Sequence, residues 1–92
     1  MLVFLKAKGM LTRYLGETPI PVELKNQATL KDLLEHLGRH FVDQFPSYLW
    51  NREQDKFRGP VVISLNRKIT TDPATRLEES QEVQVILALV GG

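Results

Sequence analysis

Cysteine is absent from the 92 residues. That excludes disulfides, a thiolate nucleophile and any metal site built on cysteine. An excess of charge of one sign is missing too: 12 basic and 11 acidic side chains leave a formal charge of +1. Such a balance creates no field to draw in nucleic acid or an anionic membrane. No basic run is longer than Arg67-Lys68, and no strand interleaves aromatic residues with a basic patch. Long hydrophobic runs are also lacking. The most apolar stretch, 83–90, is broken at Gln84 and falls far short of the roughly 20 residues of a membrane span. The opening MLVFLKAKG is interrupted by Lys6 and Lys8 too early for a signal peptide. There is no internal repeat, low-complexity tract or linker. The 42% of hydrophobic residues suffices for a folded chain with one modest core. The expectation is a single-domain cytoplasmic protein that binds neither nucleic acid nor membrane.

What is present begins with period-2 patterning. Residues 2–7 (LVFLKA) predict a strand with Val3, Leu5 and Ala7 on one face and Leu2, Phe4 and Lys6 on the other. Residues 9–16 are bounded by glycines and predict a single helical turn or a packed loop. Residues 20–24 (IPVEL) predict a second strand with Ile20, Val22 and Leu24 inward. Pro21 lacks an N–H donor, which suits a sheet edge. Thr29 then caps a helix, with Asp32 placed to return the bond. Leu30, Leu33, Leu34 and Leu37 form one apolar stripe. Gly38 is expected to end that helix. A poorer helical stretch is expected over 39–45, limited by Pro46. Tyr48, Leu49 and Trp50 add bulk near that junction, with Trp50 at the edge of the core.

Residues 51–59 (NREQDKFRG) read as a charged, solvated loop. Residues 61–65 (VVISL) are β-branched and predict a central strand. Asn66 turns the chain toward a short strand near Ile69, and 70–81 reads as loop anchored by Leu77. The final strand is expected over 82–89, with Val83, Val85, Leu87 and Leu89 on one face and Gln84, Ile86, Ala88 and Val90 on the other. It runs into Gly91-Gly92. The two most apolar strands lie at opposite ends of the sequence, and pairing them in parallel at the centre of a mixed sheet is the compact solution. His36 and His40 are four apart, but with Gly38 ending the helix between them no metal site is expected. Asp43, Asp55, Glu78 and Glu79 read as solvated charges rather than an acid/base set.

The order of these elements resembles the ubiquitin-like sulfur carrier proteins, the β-grasp group that includes the small subunit of molybdopterin synthase and the thiamine-pathway sulfur carrier. The resemblance rests on the opening strand, the loop from Leu11 to Gly16, the helix entry ATLKDLL at 28–34, VISLN at 62–66, LEESQEV at 77–83, and the terminal Gly91-Gly92. In the family the segment at 77–83 usually reads Leu-x-Asp-Gly-Asp-Glu-Val. Here Glu79, Ser80 and Gln81 replace the Asp-Gly-Asp portion, and Ala88 stands where molybdopterin members often have proline. The resemblance implies an α+β fold, the β-grasp, with a mixed sheet of four to five strands and one main helix on one face. It implies one domain over residues 1–90, with 91–92 as a flexible tail.

The resemblance also implies the chemistry. The Gly92 carboxylate would be adenylated by an E1-like partner that uses ATP, then converted to a thiocarboxylate. That group would donate sulfur in cofactor biosynthesis of the molybdopterin, tungstopterin or thiamine type. Gly91 would be its required neighbour, because a side-chain-free tail can enter another protein's active site. The chain would act as a carrier or co-substrate rather than as an enzyme on its own, with no bound cofactor. Its partners would be the adenylating enzyme and a sulfurtransferase or large synthase subunit. With one sheet face covered by the helix, the other would present an apolar patch rimmed by charge. Phe4, Lys6, Ile86 and Ala88 would dock the partner there, with Val90 in the leader to the tail and Arg67 as a contact to an acidic surface. Two other functions begin from the same sequence: a ubiquitin-like modifier joined to lysines through Gly92, and a β-grasp binding subunit whose tail merely inserts into a partner.

Overall fold

The computed structural model describes residues 1–58 and 61–87. In chain order the elements are β1 (Leu2–Gly9), α1 (Thr12–Leu15), β2 (Ile20–Glu23), α2 (Leu30–His40), a 3-10 turn (Val42–Gln44), β3 (Trp50–Asn51), β4 (Lys56–Phe57), β5 (Val61–Leu65), β6 (Lys68–Thr70) and β7 (Glu82–Leu87). Five strands form one mixed sheet in the order β2-β1-β7-β5-β6, and β3 pairs with β4 in a separate hairpin. This is the α+β β-grasp architecture, with one main helix on one face of the sheet.

The parallel pair expected at the centre is there. β1 runs parallel to β7, with Leu5 opposite Val83 and Ala7 opposite Val85. β7 is flanked on its other side by antiparallel β5, with Ile63 opposite Val85 and Leu65 opposite Val83. Because side chains alternate across a strand, this register sends Val3, Leu5, Ala7, Val83, Val85 and Leu87 to one face, and all six are buried. Pro21 sits in β2, an edge strand, opposite Phe4. The missing N–H therefore costs no ladder bond on the outer side.

α2 lays Leu30, Leu33 and Leu37 against that buried face, with Leu34 packed beside them. Burying each such side chain stabilises the fold by about 1.5–3 kcal/mol. The helix start is fully specified. The Thr29 hydroxyl accepts from the Asp32 N–H at 3.4 Å, and the Asp32 carboxylate accepts from the Thr29 N–H at 2.8 Å. The remaining free donors of the first turn are taken by the segment before β7: Leu30 N–H reaches the Thr75 carbonyl at 2.8 Å and Lys31 N–H the Pro73 carbonyl at 2.9 Å. Leu77, in the same segment, is buried.

Four expectations fail. Gly38 does not end α2, which runs on to His40. A Cβ at Gly38 would collide with the Asp55 carboxylate and stand 3.4 Å from the Trp50 ring. Glycine is there to let the β3–β4 hairpin lie against the helix, not to stop it. The stretch 39–45 is consequently not a second helix, since α2 takes its first two residues and only a 3-10 turn follows. Residues 51–59 are not a plain solvated loop. Their two ends pair as strands, Trp50 opposite Phe57 and Asn51 opposite Lys56. The charged residues sit in the turn between them, where the Asn51 side chain accepts from the N–H groups of Glu53 and Gln54 at 3.0 and 3.1 Å. Trp50 is 2% exposed and lies inside the core cluster, not at its edge. No described helix is long and apolar enough to cross a membrane.

Candidate functional site

The face of the sheet away from α2 follows from the register. β1 contributes Leu2, Phe4, Lys6 and Lys8 to it, and β7 contributes Glu82, Gln84 and Ile86. β5 adds Val62 opposite Ile86 and Ser64 opposite Gln84, and β6 adds Ile69 opposite Ser64. Among the described residues no element crosses this face, and Phe4, Lys6, Val62, Gln84 and Ile86 are only half-buried. Ile69 is 67% exposed, the most exposed large hydrophobic residue among those described.

Of the expected docking residues, Phe4, Lys6 and Ile86 are all on this open face, as period 2 requires. They do not form one patch. Phe4 stands opposite Glu82, and Ile86 stands opposite Lys8, four register positions further on. Four strand residues span about 13 Å. Between them lies the polar row Lys6–Gln84–Ser64. Lys6 is held there by a hydrogen bond from Nζ to the Glu17 carbonyl. Phe4 instead shares a small apolar area with Pro21 near the β2 edge. Ile86 shares a second one with Val62 toward the end of β7. Val62 and Ile69 were not among the residues expected from the sequence. Alternation within 61–65 carries the signal for Val62, but Ile69 needs the β5–β6 register.

Arg67 lies in the two-residue turn between β5 and β6, where Asn66 has φ 51° and Arg67 φ 69°. Positive φ at both central positions is the type I′ pattern that matches hairpin twist. The turn places the Arg67 guanidinium at the sheet margin, exposed. Ala88, Val90, Gly91 and Gly92 lie outside the described residues. β7 lies between β1 and β5, and its Leu87 stands opposite Gly9 of β1 and Val61 of β5.

On the far side of the molecule α2 carries His36 and His40, with ring centroids 4.4 Å apart. Partial burial, then the neighbouring His40 and Arg39, hold His36 below the ordinary histidine pKa. Among the described residues no three His, Cys, Asp or Glu side chains stand close enough to hold a metal ion together. The α2 N-terminus offers no anion site either, because its free N–H groups are already bonded to Thr29, Pro73 and Thr75.

The ThiS family model matches residues 14–92 of the chain. No curated protein sequence matches it. Among solved structures the chain is similar to SAMP1 from Haloferax volcanii, at 15% identity and a TM-score of 0.79 over the whole of both chains. It is similar to Urm1 from Trypanosoma brucei at 16% identity and a TM-score of 0.74, over 99% of this chain and 95% of that one. It is also similar to a chain in the complex of subunits 1 and 2 of molybdopterin-converting factor from Helicobacter pylori 26695. There the identity is 18% and the TM-score 0.68, over all of both chains. At such identities the structural likeness is one of fold.

Proposed function

The chain belongs to the ThiS family of ubiquitin-like β-grasp sulfur carriers, and from that premise we propose that Gly92 is its reacting residue. The observation that carries the reading is that the family match runs through to Gly92, so Gly91-Gly92 fall within the shared pattern. A carboxylate is a poor acyl donor until it bears a good leaving group. An E1-like partner would join the Gly92 carboxylate to AMP, releasing pyrophosphate from ATP. A sulfur donor then displaces AMP and leaves a thiocarboxylate, which passes its sulfur to a cofactor precursor. The carrier supplies no acid, base or thiol to these steps, which agrees with a chain without cysteine. Its work is to deliver the tail, and ordering two glycines in a partner's active site costs about 1–2 kcal/mol of backbone entropy each. Docking elsewhere on the domain must offset that cost.

The open face is the docking surface in this reading. The area around Ile86 and Val62, toward the end of β7, makes the main contact. Phe4 and Lys6 make a second contact toward β2, and Arg67 meets acidic groups at the margin. The partners in this reading are a cytoplasmic adenylating enzyme and a sulfurtransferase or large synthase subunit; the two-subunit assembly of the Helicobacter relative supports a partner subunit. Phe4 is not packed against the core cluster, unlike Phe57. Phe4→Ala is therefore expected to leave the unfolding midpoint nearly unchanged while weakening the partner complex. A large loss of stability with unchanged binding would remove Phe4 from the interface.

The deciding experiment is intact mass of the protein isolated from its own cells without thiol reagents, followed by fragmentation. Sulfur in place of oxygen, located on Gly92 rather than as oxidation of Met1 or Met10, establishes the carrier. Gly92 joined to a lysine amine establishes a modifier instead. Unmodified chain after incubation with ATP, a sulfur source and the cell's activating enzyme leaves a binding subunit.

A further inference from the structure

Reading Gly38 as a helix end separated two histidines that the structure brings together. α2 is continuous from Leu30 to His40, so residues 36 and 40 lie one turn apart on one face. Their ring centroids stand 4.4 Å apart, with planes inclined at 42°. His40 is exposed and His36 half-buried, so both edges are within reach of solvent. This flank of the helix borders the end of β2, where His36 lines a cleft with Glu23 and Leu24, and nothing in the delivery of the tail uses it.

We propose that His36 and His40 chelate a late first-row divalent cation, Cu(II) before Ni(II) and Zn(II). A metal–nitrogen bond of about 2.0–2.1 Å puts an imidazole centre about 3.2 Å from the ion. Two rings bound at a right angle then stand about 4.5 Å apart, against about 5.2 Å at the tetrahedral angle. The observed 4.4 Å is close enough for both rings to reach one ion, and in square-planar or tetragonal Cu(II) and Ni(II) neighbouring ligands stand at a right angle. The Irving–Williams order independently ranks Cu(II) first. With no third His, Cys, Asp or Glu side chain in range among the described residues, water completes the coordination. The ion remains exchangeable, unlike one in a closed structural site. The helix is already fixed by its cap and its leucine face, so the two ligands are preorganised and little ordering cost falls on binding.

The test is a CuCl2 titration of the full-length protein in a non-coordinating buffer, followed by equilibrium dialysis and electron paramagnetic resonance. One equivalent is expected to bind with the hyperfine signature of two imidazole nitrogens. His36→Gln and His40→Gln should each weaken that site roughly a hundredfold, because each turns a linked pair of contacts into a single one. Far-UV circular dichroism of each variant should match the parent, since both side chains are on the surface. The competing ligand is the Met1 amine, which donates to the Leu24 carbonyl at 2.7 Å. Copper bound as tightly by the His36→Gln/His40→Gln double variant would assign it to that amine and overturn the proposal. So would a single variant that keeps its affinity within a factor of a few, or Zn(II) outcompeting Cu(II).

Discussion

The helix–sheet core and the segment between α2 and β5 bury residues to the same degree by different means. In the first, Val3, Leu5 and Ala7 alternate, Val83, Val85 and Leu87 alternate, and Leu30, Leu33 and Leu37 recur at helical spacing. Each of these residues is one member of a regular series. In the second, Phe45, Leu49 and Trp50 are buried with no common period. What holds them is the geometry of three rings. Phe45 stacks on Trp50 with centroids 5.5 Å apart, and Phe57 meets Trp50 edge-on at 4.8 Å and Phe45 at 5.2 Å. Each such pair contributes about 0.5–1.5 kcal/mol beyond the area it buries. One region is organised by backbone periodicity, the other by a cluster that residues reach from a turn, a loop and a hairpin.

The contrast can be broken by substitution. Leu33→Ala removes a fully buried member of the helical stripe and should cost about 2–5 kcal/mol in urea unfolding. Phe57→Ala removes a half-buried member of the ring cluster and should cost about 1.5–3 kcal/mol. Amide exchange distinguishes the two: Phe57→Ala should expose residues 50–57 first, and equal loss of protection across β1 and β7 would mean that the regions are not separable. Gly38→Ala tests the joint between them. Alanine favours a helix by about 1 kcal/mol over glycine, yet here it should destabilise by about 1 kcal/mol because it crowds the Asp55 carboxylate. In an Asp55→Ala background the same change should become stabilising, and a double-mutant cycle reads the difference. A gain in the parent background would show that Asp55 moves aside without cost.

Asp32→Ala should cost about 1 kcal/mol through the lost capping box. The hydrogen bond from the Thr29 backbone is the main reason why the Asp32 carboxyl sits below its ordinary value of 3.8, helped by the Thr29 hydroxyl and by Lys25 and opposed by desolvation. A depressed folded pKa gives stability that is present above the unfolded value and lost as pH falls through the folded one. The gap between parent and variant should therefore hold steady down to about pH 5 and close in stronger acid. The smallest effect expected is a gain. Ser80 has φ 63°, and Ser80→Gly should stabilise by about 0.5–1 kcal/mol by relieving left-handed strain. No change would mean that its neighbours offset the strain.

Ser80 also shows what was legible in the sequence and what was not. It occupies the glycine position of the family's Leu-x-Asp-Gly-Asp-Glu-Val segment, and the backbone there keeps a glycine-like φ. Its neighbours support the turn: Glu79 Oε2 accepts from Leu2 N–H at 2.5 Å, Gln81 Oε1 from Glu78 N–H at 2.8 Å, and Leu2 O from Ser80 N–H at 2.6 Å. The motif departs in letters and keeps its geometry. The parallel central strands, the Pro21 edge and the Thr29–Asp32 cap were all readable, because each depends on local spacing or on one residue's chemistry. The β3–β4 hairpin was not, because Arg52, Glu53, Gln54 and Asp55 hide two short strands inside a charged stretch. Gly38 misled for a related reason, since its role lies in what approaches it and not in its own neighbours. On the open face, alternation correctly assigned Phe4 and Ile86 to one side. Only the register shows that they stand apart, with Val62 beside Ile86.

The parallel seam between β1 and β7 has a consequence for how the protein is made. β7 joins strands that were synthesised some 20 to 80 residues earlier and fits between them. Until it arrives, β1 and β5 each expose an unpaired edge, and no continuous open face exists. Contacts this distant in sequence form late and slowly. Since synthesis proceeds from the amino end, the sheet can close only once β7 has left the ribosome. A truncated or stalled product therefore lacks both the last strand and the surface that needs it. The open face is in this way conditional on having made and folded everything up to β7.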